Sequence, residues 1–152
     1  MARVGFIGLG VMGFPMAGHL AASDNEVVVY NRTKSKVNKW LELYNGTTLD
    51  SPGEVAQQSD FVFCCVGNDE DVRSVTLGDS GAFKYMQKGS VFVDHSTVSA
   101  MVAKELGQVA IKNEFGFIDA PVSGGQVGAQ NGILTVMCGG EESLFAKVQV
   151  CS

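Results

Sequence analysis

The chain is short of most of what would place it outside the ordinary globular proteins. It has only three prolines in 152 residues and no triplet glycine repeat, which excludes collagen and proline-rich linkers. No apolar run reaches the roughly 18 residues that a membrane-spanning helix needs. With a net charge of −5 and no Lys/Arg cluster, it is a poor partner for nucleic acid or an anionic membrane surface. The four cysteines, Cys64, Cys65, Cys138 and Cys151, form no CxxC and no metal-ligand spacing. They read as small buried residues in a reducing compartment, with no metal site. The sequence opens directly into a strand pattern, so no signal peptide is expected. The expected location is the cytoplasm, or the mitochondrial matrix if a transit peptide has been removed.

What is present is a well-buried composition, 45% hydrophobic and 18% charged, with glycine in excess at 19 residues. A chain of this length hides roughly 70% of its unfolded surface, enough for one sizeable core. Continuously apolar runs alternate with helical spacing. Strands are expected at Arg3–Gly8, Glu26–Asn31, Phe61–Val66, Ser90–Asp94, Gly116–Asp119 and Ile133–Cys138, with a weak one near Thr47–Leu49. Helices are expected at Val11–Ala22, Lys34–Tyr44, after Ser51-Pro52, at Ser99–Lys112 and at Glu141–Val150, with a helical turn over Glu70–Val75. Strands apolar on both faces that alternate with helices imply an α/β domain, doubly wound around a mostly parallel, Rossmann-type sheet.

The first strand ends in Gly8-Leu9-Gly10-Val11-Met12-Gly13, a GxGxxG. Gly8 permits the tight turn, Gly10 lets backbone approach a pyrophosphate, and Gly13 lets the helix lie close to the strand. The helix start supplies free N–H groups and partial positive charge. Pro15 falls within that unpaired stretch, where its missing N–H costs little. Alone the motif is weak; between a strand and a helix in the first βαβ unit it points to a dinucleotide. A methyltransferase is the main rival. Both it and an NAD site want an acid at the end of the second strand, about 20 residues on. That strand instead ends Tyr30-Asn31-Arg32-Thr33, with no carboxylate. An acid would repel a 2′-phosphate, whereas Arg32 would pair with one, so NADP is expected in preference to NAD. The alternative is a solvated arginine ahead of a helix.

Four segments together resemble the β-hydroxyacid dehydrogenases: GFIGLGVMGFPMAGHL, VVVYNRT, DHSTVSA (Asp94–Ala100) and DAPVSGGQVGAQNGILTVMCGG (Asp119–Gly140). Within that family they look most like 3-hydroxyisobutyrate dehydrogenases and semialdehyde reductases, with 6-phosphogluconate dehydrogenase a more distant relative. The resemblance implies that the glycine turn from Gly8 to Gly13, the selector Asn31, Arg32 and Thr33, and the loop Val66, Gly67 and Asn68 hold the cofactor. Ser96 and Thr97 would lie beside its nicotinamide end. Ser123, Gly124 and Gly125 would hold the carboxylate of a small substrate, a hydroxyl and exposed N–H groups suiting an anion. For Ser96-Thr97 helix capping is the competing role, and for Ser123-Gly124-Gly125 an ordinary loop.

The family's catalytic lysine lies on a GxxGxGxxxK-type helix beyond the dinucleotide domain, and nothing here matches it. Lys104 and Lys112 sit on a helix without that context, and His95 is set aside because the family varies there. The resemblance also implies a second, all-helical domain that follows. The chain, residues 1–152, is therefore expected to be a truncated dinucleotide-binding domain of an oxidoreductase. By itself it should be inactive, and able to self-associate through the surface the helical domain covers. The alternative is a non-catalytic NADP(H)-binding module.

Overall fold

The computed structural model describes residues 2–123 and 135–136. Six parallel strands form one sheet: β1 (Arg3–Ile7), β2 (Glu26–Tyr30), β3 (Thr47–Thr48), β4 (Phe61–Cys64), β5 (Val91–Asp94) and β6 (Gly116–Asp119). Their order is β3-β2-β1-β4-β5-β6. The chain walks outward from β1 to β3 and then crosses back to β4 on the other side of β1. The switch between β1 and β4 opens a crevice at the carboxyl ends of the strands, where such sheets bind ligands.

The strands pair in register with Ile7 opposite both Tyr30 and Cys64, and Cys64 opposite Asp94, so their ends fall level. Residues of both faces are buried because helices cover both. One layer places α1 (Gly13–Ala22) and α2 (Lys34–Leu43) over Val4, Phe6, Val29, Phe63 and Val93, with Trp40 fully buried among them. The other places α3 (Pro52–Gln57), α4 (Asp69–Leu77), a 3-10 turn at Ala82–Lys84 and α5 (Ala100–Lys112) over Ile7, Val62, Cys64 and Phe92. Helix starts follow the capping rules. Ser51 accepts from the Glu54 N–H with Pro52 in the first turn, Asn68 accepts from Asp71, and Ser99 accepts from Val102.

Several expected boundaries move by one or two residues, β4 ending at Cys64 rather than Val66 among them, and two changes in the helices have a clear cause. Helix α1 begins at Gly13, because Val11 and Met12 form the turn that carries the chain off β1. The expected turn at Glu70–Val75 is a nine-residue helix, lengthened by its Asn68 cap and the burial of Val72 and Thr76. Beyond β6, β7 (Val122–Ser123) and β8 (Thr135–Val136) pair antiparallel, Ser123 opposite Thr135. The rest of the expected strand Ile133–Cys138, the expected helix Glu141–Val150, and Cys138 and Cys151 lie outside the described residues. No helix among those described is long and apolar enough to cross a membrane.

Leu106 of α5 is fully buried against the sheet, while Met101 on the same helix is 71% exposed. Leu106→Ala should cost about 2–5 kcal/mol through lost transfer energy and a residual cavity. Met101→Ala should stay within about 0.5 kcal/mol of wild type. Urea unfolding compares them, and equal effects would contradict this placement of α5.

Candidate functional site

The turn from β1 into α1 is built around an absence of side chains. Gly8 has φ of 104°, a left-handed conformation that glycine adopts without strain. A methyl group there would also overlap the carbonyl of Cys65. At Gly13 a methyl would overlap the Gly8 carbonyl oxygen, so the first turn of α1 rests directly on the strand end. At Gly10 the added atom would meet nothing, since that position faces the open crevice.

The backbone donors of this turn divide into two groups. The Gly8 N–H donates to the Tyr30 carbonyl, and the Leu9 N–H to the Asn31 side chain at 2.9 Å. The Phe14 N–H donates back to Gly10. Between them, the N–H groups of Gly10, Val11, Met12 and Gly13 meet no acceptor among the described residues. Backbone donors are almost always satisfied in folded proteins, and four in a row at a helix start suit an anion.

Around this turn lies a cleft of about 470 Å³. The structure brings Gly8, Gly10, Val11, Met12, Gly13, Asn31, Arg32, Thr33, Val66 and Gly67 to its walls. Four other residues named from the sequence do not line it. Leu9 is buried, and its amide is held by Asn31. The Asn68 side chain caps α4. Ser96 is buried, with its hydroxyl oxygen accepting from the Val66 N–H at 2.9 Å, and Thr97 is exposed. Neither Ser96 nor Thr97 caps α5, since Ser99 does. Ser123 is placed by its backbone in β7, and Gly124 and Gly125 lie outside the described residues.

Seven lining residues were not anticipated, among them Lys36, Asp71 and Cys65. The alternation Arg32, Lys34, Lys36 was a signal for the first. Asp71 had none, because it lies in an acidic run, Asp69-Glu70-Asp71, that reads as a solvated helix start. Of that run Asp69 accepts from the Ser99 N–H at 2.8 Å, which holds its carboxyl below the usual range. Burial pushes the Cys65 thiol up to about 11, so it stays protonated and unreactive at neutral pH.

Asn31 works as a strap. Its Oδ1 accepts from Leu9 and its Nδ2 donates to the Thr33 carbonyl at 3.0 Å, tying the end of β2 to the glycine turn. Arg32, flanked by those bonds, has a side chain 87% exposed at the cleft mouth.

Behind the cleft, the ends of β4, β5 and β6 share a buried polar network. Asp94 Oδ1 accepts from the Ser96 N–H at 2.9 Å, while its Oδ2 is buried without a partner. The His95 ring stacks on Phe63, with Nδ1 2.7 Å from the Ala120 carbonyl; a carbonyl only accepts, so Nδ1 carries the proton. Burial holds His95 below its ordinary value, so it is neutral and structural here. Burial pushes the Asp94 carboxyl up to about 6 against the pull of its Ser96 bonds, with Asp119 adding repulsion.

An unfolded Asp titrates at about 4. Between that value and about 6 the native state holds the extra proton, so rising pH removes stability. Asp94→Asn keeps an oxygen for Ser96 and removes the charge. Between pH 4 and pH 7 wild type should lose about 2 kcal/mol relative to this variant, at 1.36 kcal/mol per unit. Urea unfolding across that range reads the difference. His95 runs the other way but is common to both proteins. A difference that stays constant with pH would refute the assignment.

Comparison with known proteins identifies the family and the fold. A family model for the NAD binding domain of 6-phosphogluconate dehydrogenase matches residues 3–151. An uncharacterized oxidoreductase of Shewanella frigidimarina is 53% identical over 149 residues, 98% of this chain and 51% of its own length. A mitochondrial 3-hydroxyisobutyrate dehydrogenase-like protein of Arabidopsis thaliana is 46% identical, over 96% of this chain and 44% of its own. The solved 3-hydroxyisobutyrate dehydrogenase of Mycobacterium tuberculosis, with L-serine, superposes with a TM-score of 0.92 at 27% identity, covering 99% of this chain and 50% of that one. The chain spans about half the length of the curated relatives it matches. It belongs to the family of the NAD-binding domain of 6-phosphogluconate dehydrogenase, a nicotinamide dinucleotide-binding fold of oxidoreductases.

Proposed function

We propose that this chain is the cofactor half of an NADP(H)-dependent oxidoreductase acting on small β-hydroxyacids or their semialdehydes. The observation that carries the reading is the cleft itself. Four unpartnered backbone N–H groups sit at one end, and Arg32 and Lys36 stand at the mouth, where an NAD site would have an acid at the end of β2. The donor set suits the group. The N–H groups of Gly10 to Gly13 would take the pyrophosphate, the Arg32 guanidinium the 2′-phosphate, and Val66 and Gly67 the far wall. When bound, the nicotinamide accepts or supplies the hydride.

This chain's own residues bind and orient. Ser96 and Asn68 act as positioning residues, holding the Val66 amide and the start of α4. Ser123, Gly124 and Gly125 are proposed to hold the substrate carboxylate, and Thr97 to lie near the nicotinamide end. The partner proposed is a small carboxylate, not nucleic acid. The compartment proposed is the cytoplasm, or the mitochondrial matrix by analogy with relatives so named.

NADPH should bind more tightly than NADH. Losing a charge-assisted contact of about 1.5–3 kcal/mol corresponds to roughly 10- to 150-fold in affinity. Calorimetric titration of both cofactors should show that preference in wild type and its collapse in Arg32→Ala. Equal wild-type affinities would sink the assignment of Arg32.

A polypeptide of these 152 residues should bind NADP(H) yet turn over substrate near background, because nothing in its sequence matches the GxxGxGxxxK lysine that would act as general acid/base. Such a group contributes about 10²–10⁴-fold. NADPH oxidation with succinic semialdehyde, glyoxylate or tartronate semialdehyde, beside a full-length relative, measures this. Gel filtration of the same sample should show self-association. Turnover comparable to the relative would mean that His95 or Lys104 carries the proton.

A further inference from the structure

The cleft mouth contains a carboxylate that the binding of a 2′-phosphate does not call for. Asp71 reaches it from the first turn of α4, the opposite wall from β2. Its backbone is fixed, since the Asp71 N–H donates to Asn68 Oδ1 at 2.9 Å. Its side chain is held between two features of the cleft. Oδ2 lies so close to Gly67 that a methyl carbon there would come within 2.9 Å of it, and Oδ1 faces the Arg32 guanidinium at 3.9 Å. Among the described residues Asp71 is the one charged partner of Arg32. The charged groups lining the cleft are thus Arg32 and Lys36 on one side and Asp71 on the other.

We infer that Asp71 is a specificity-determining residue that works against Arg32. It holds the guanidinium across the mouth and has to release it to a 2′-phosphate, which narrows the preference for phosphorylated over unphosphorylated dinucleotides. The inference rests on the NADP(H) reading of the same cleft. The chemistry is direct. A phosphate takes the guanidinium fork as a two-point contact, which the carboxylate then loses. The displaced Asp71 is left near the incoming phosphate, and like charges at such range repel. A dinucleotide with a free 2′-hydroxyl meets neither cost, since a hydroxyl can donate to a carboxylate. The pair is long and its arginine 87% exposed, so its hold is weak and salt-sensitive, and the expected effect is a few-fold rather than a hundredfold.

The test uses adenosine 2′,5′-bisphosphate and AMP, alongside NADP+ and NAD+, titrated by calorimetry into wild type, Asp71→Asn, Asp71→Ser and Arg32→Ala. Removing the charge should tighten the bisphosphate and NADP+ about two- to fivefold while AMP and NAD+ stay level or weaken. The gain should shrink in 0.5 M salt, roughly where screening shortens to a few ångströms. A folding defect would weaken all four ligands together, and the second variant guards against a defect peculiar to asparagine. If both ligand classes move in parallel in both variants, or neither moves, Asp71 has no such role. Equal wild-type affinities for bisphosphate and AMP overturn the NADP(H) reading instead, while the change of ratio in the variants still decides the role of Asp71. Absence of all binding overturns both.

Discussion

The structure depends on how closely α1 is allowed to approach the end of β1. Gly13 rests against the Gly8 carbonyl, and Gly8 lies beneath the Cys65 carbonyl, with no atom to spare at either place. That contact draws the ends of β1 and β4 together with the start of α1, and it decides where the helix begins. Because the chain needs Val11 and Met12 to turn, the N–H groups from Gly10 to Gly13 find no carbonyl behind them. Packing and binding are therefore one constraint. The residues that let the layers close are those that leave the proposed anion site open, and any side chain that spoiled the first would spoil the second.

A second set of contacts keeps the far wall of the cleft in place. The Val66 N–H is held by Ser96, whose own N–H is held by Asp94. The neighbouring His95 uses its backbone N–H on the Cys64 carbonyl and its ring on Ala120. These bonds lock three strand ends to one another at the cost of burying a carboxyl whose second oxygen has no partner. Such a network contributes definition rather than net stability. Loops that must hold a ligand in one geometry gain from that trade, since a wall displaced by an ångström is a weaker wall.

The fold was legible in the sequence because the strands are buried on both faces and their apolar runs have no other reading. The glycine turn was legible because Gly8 and Gly13 each answer a steric demand that only glycine meets, while Gly10 leaves the cleft wall bare. Side chains at helix starts and loop ends were harder. Ser96 could have capped α5, touched a ligand or held a loop; a hydroxyl serves all three, and only the level ending of β4 and β5 selects the Val66 amide. Asn31 was placed in the right cleft, but its strap between Leu9 and Thr33 depends on the spacing of two neighbouring strands. Asp71 could not be seen at all. Its neighbours Asp69 and Glu70 have the same composition, and the turn of α4 alone separates the residue that faces the cleft from those that do not.

The division of labour within the cleft follows from these origins. The pyrophosphate is common to every nicotinamide dinucleotide, and the groups suited to it are backbone N–H groups fixed by the packing of β1 on α1. They cannot be altered without disturbing the core. The groups that would tell one dinucleotide from another, Arg32, Lys36 and Asp71, stand at the mouth on the first turns or approaches of α2 and α4. Arg32 and Asp71 meet there across an exposed gap of 3.9 Å. Exposed charges contribute little to folding, so substitutions among them leave the sheet as it is. On the proposed reading, binding is tied to the fold and selectivity is not. A domain of this kind can change the cofactor it prefers by exchanging side chains that its core does not feel.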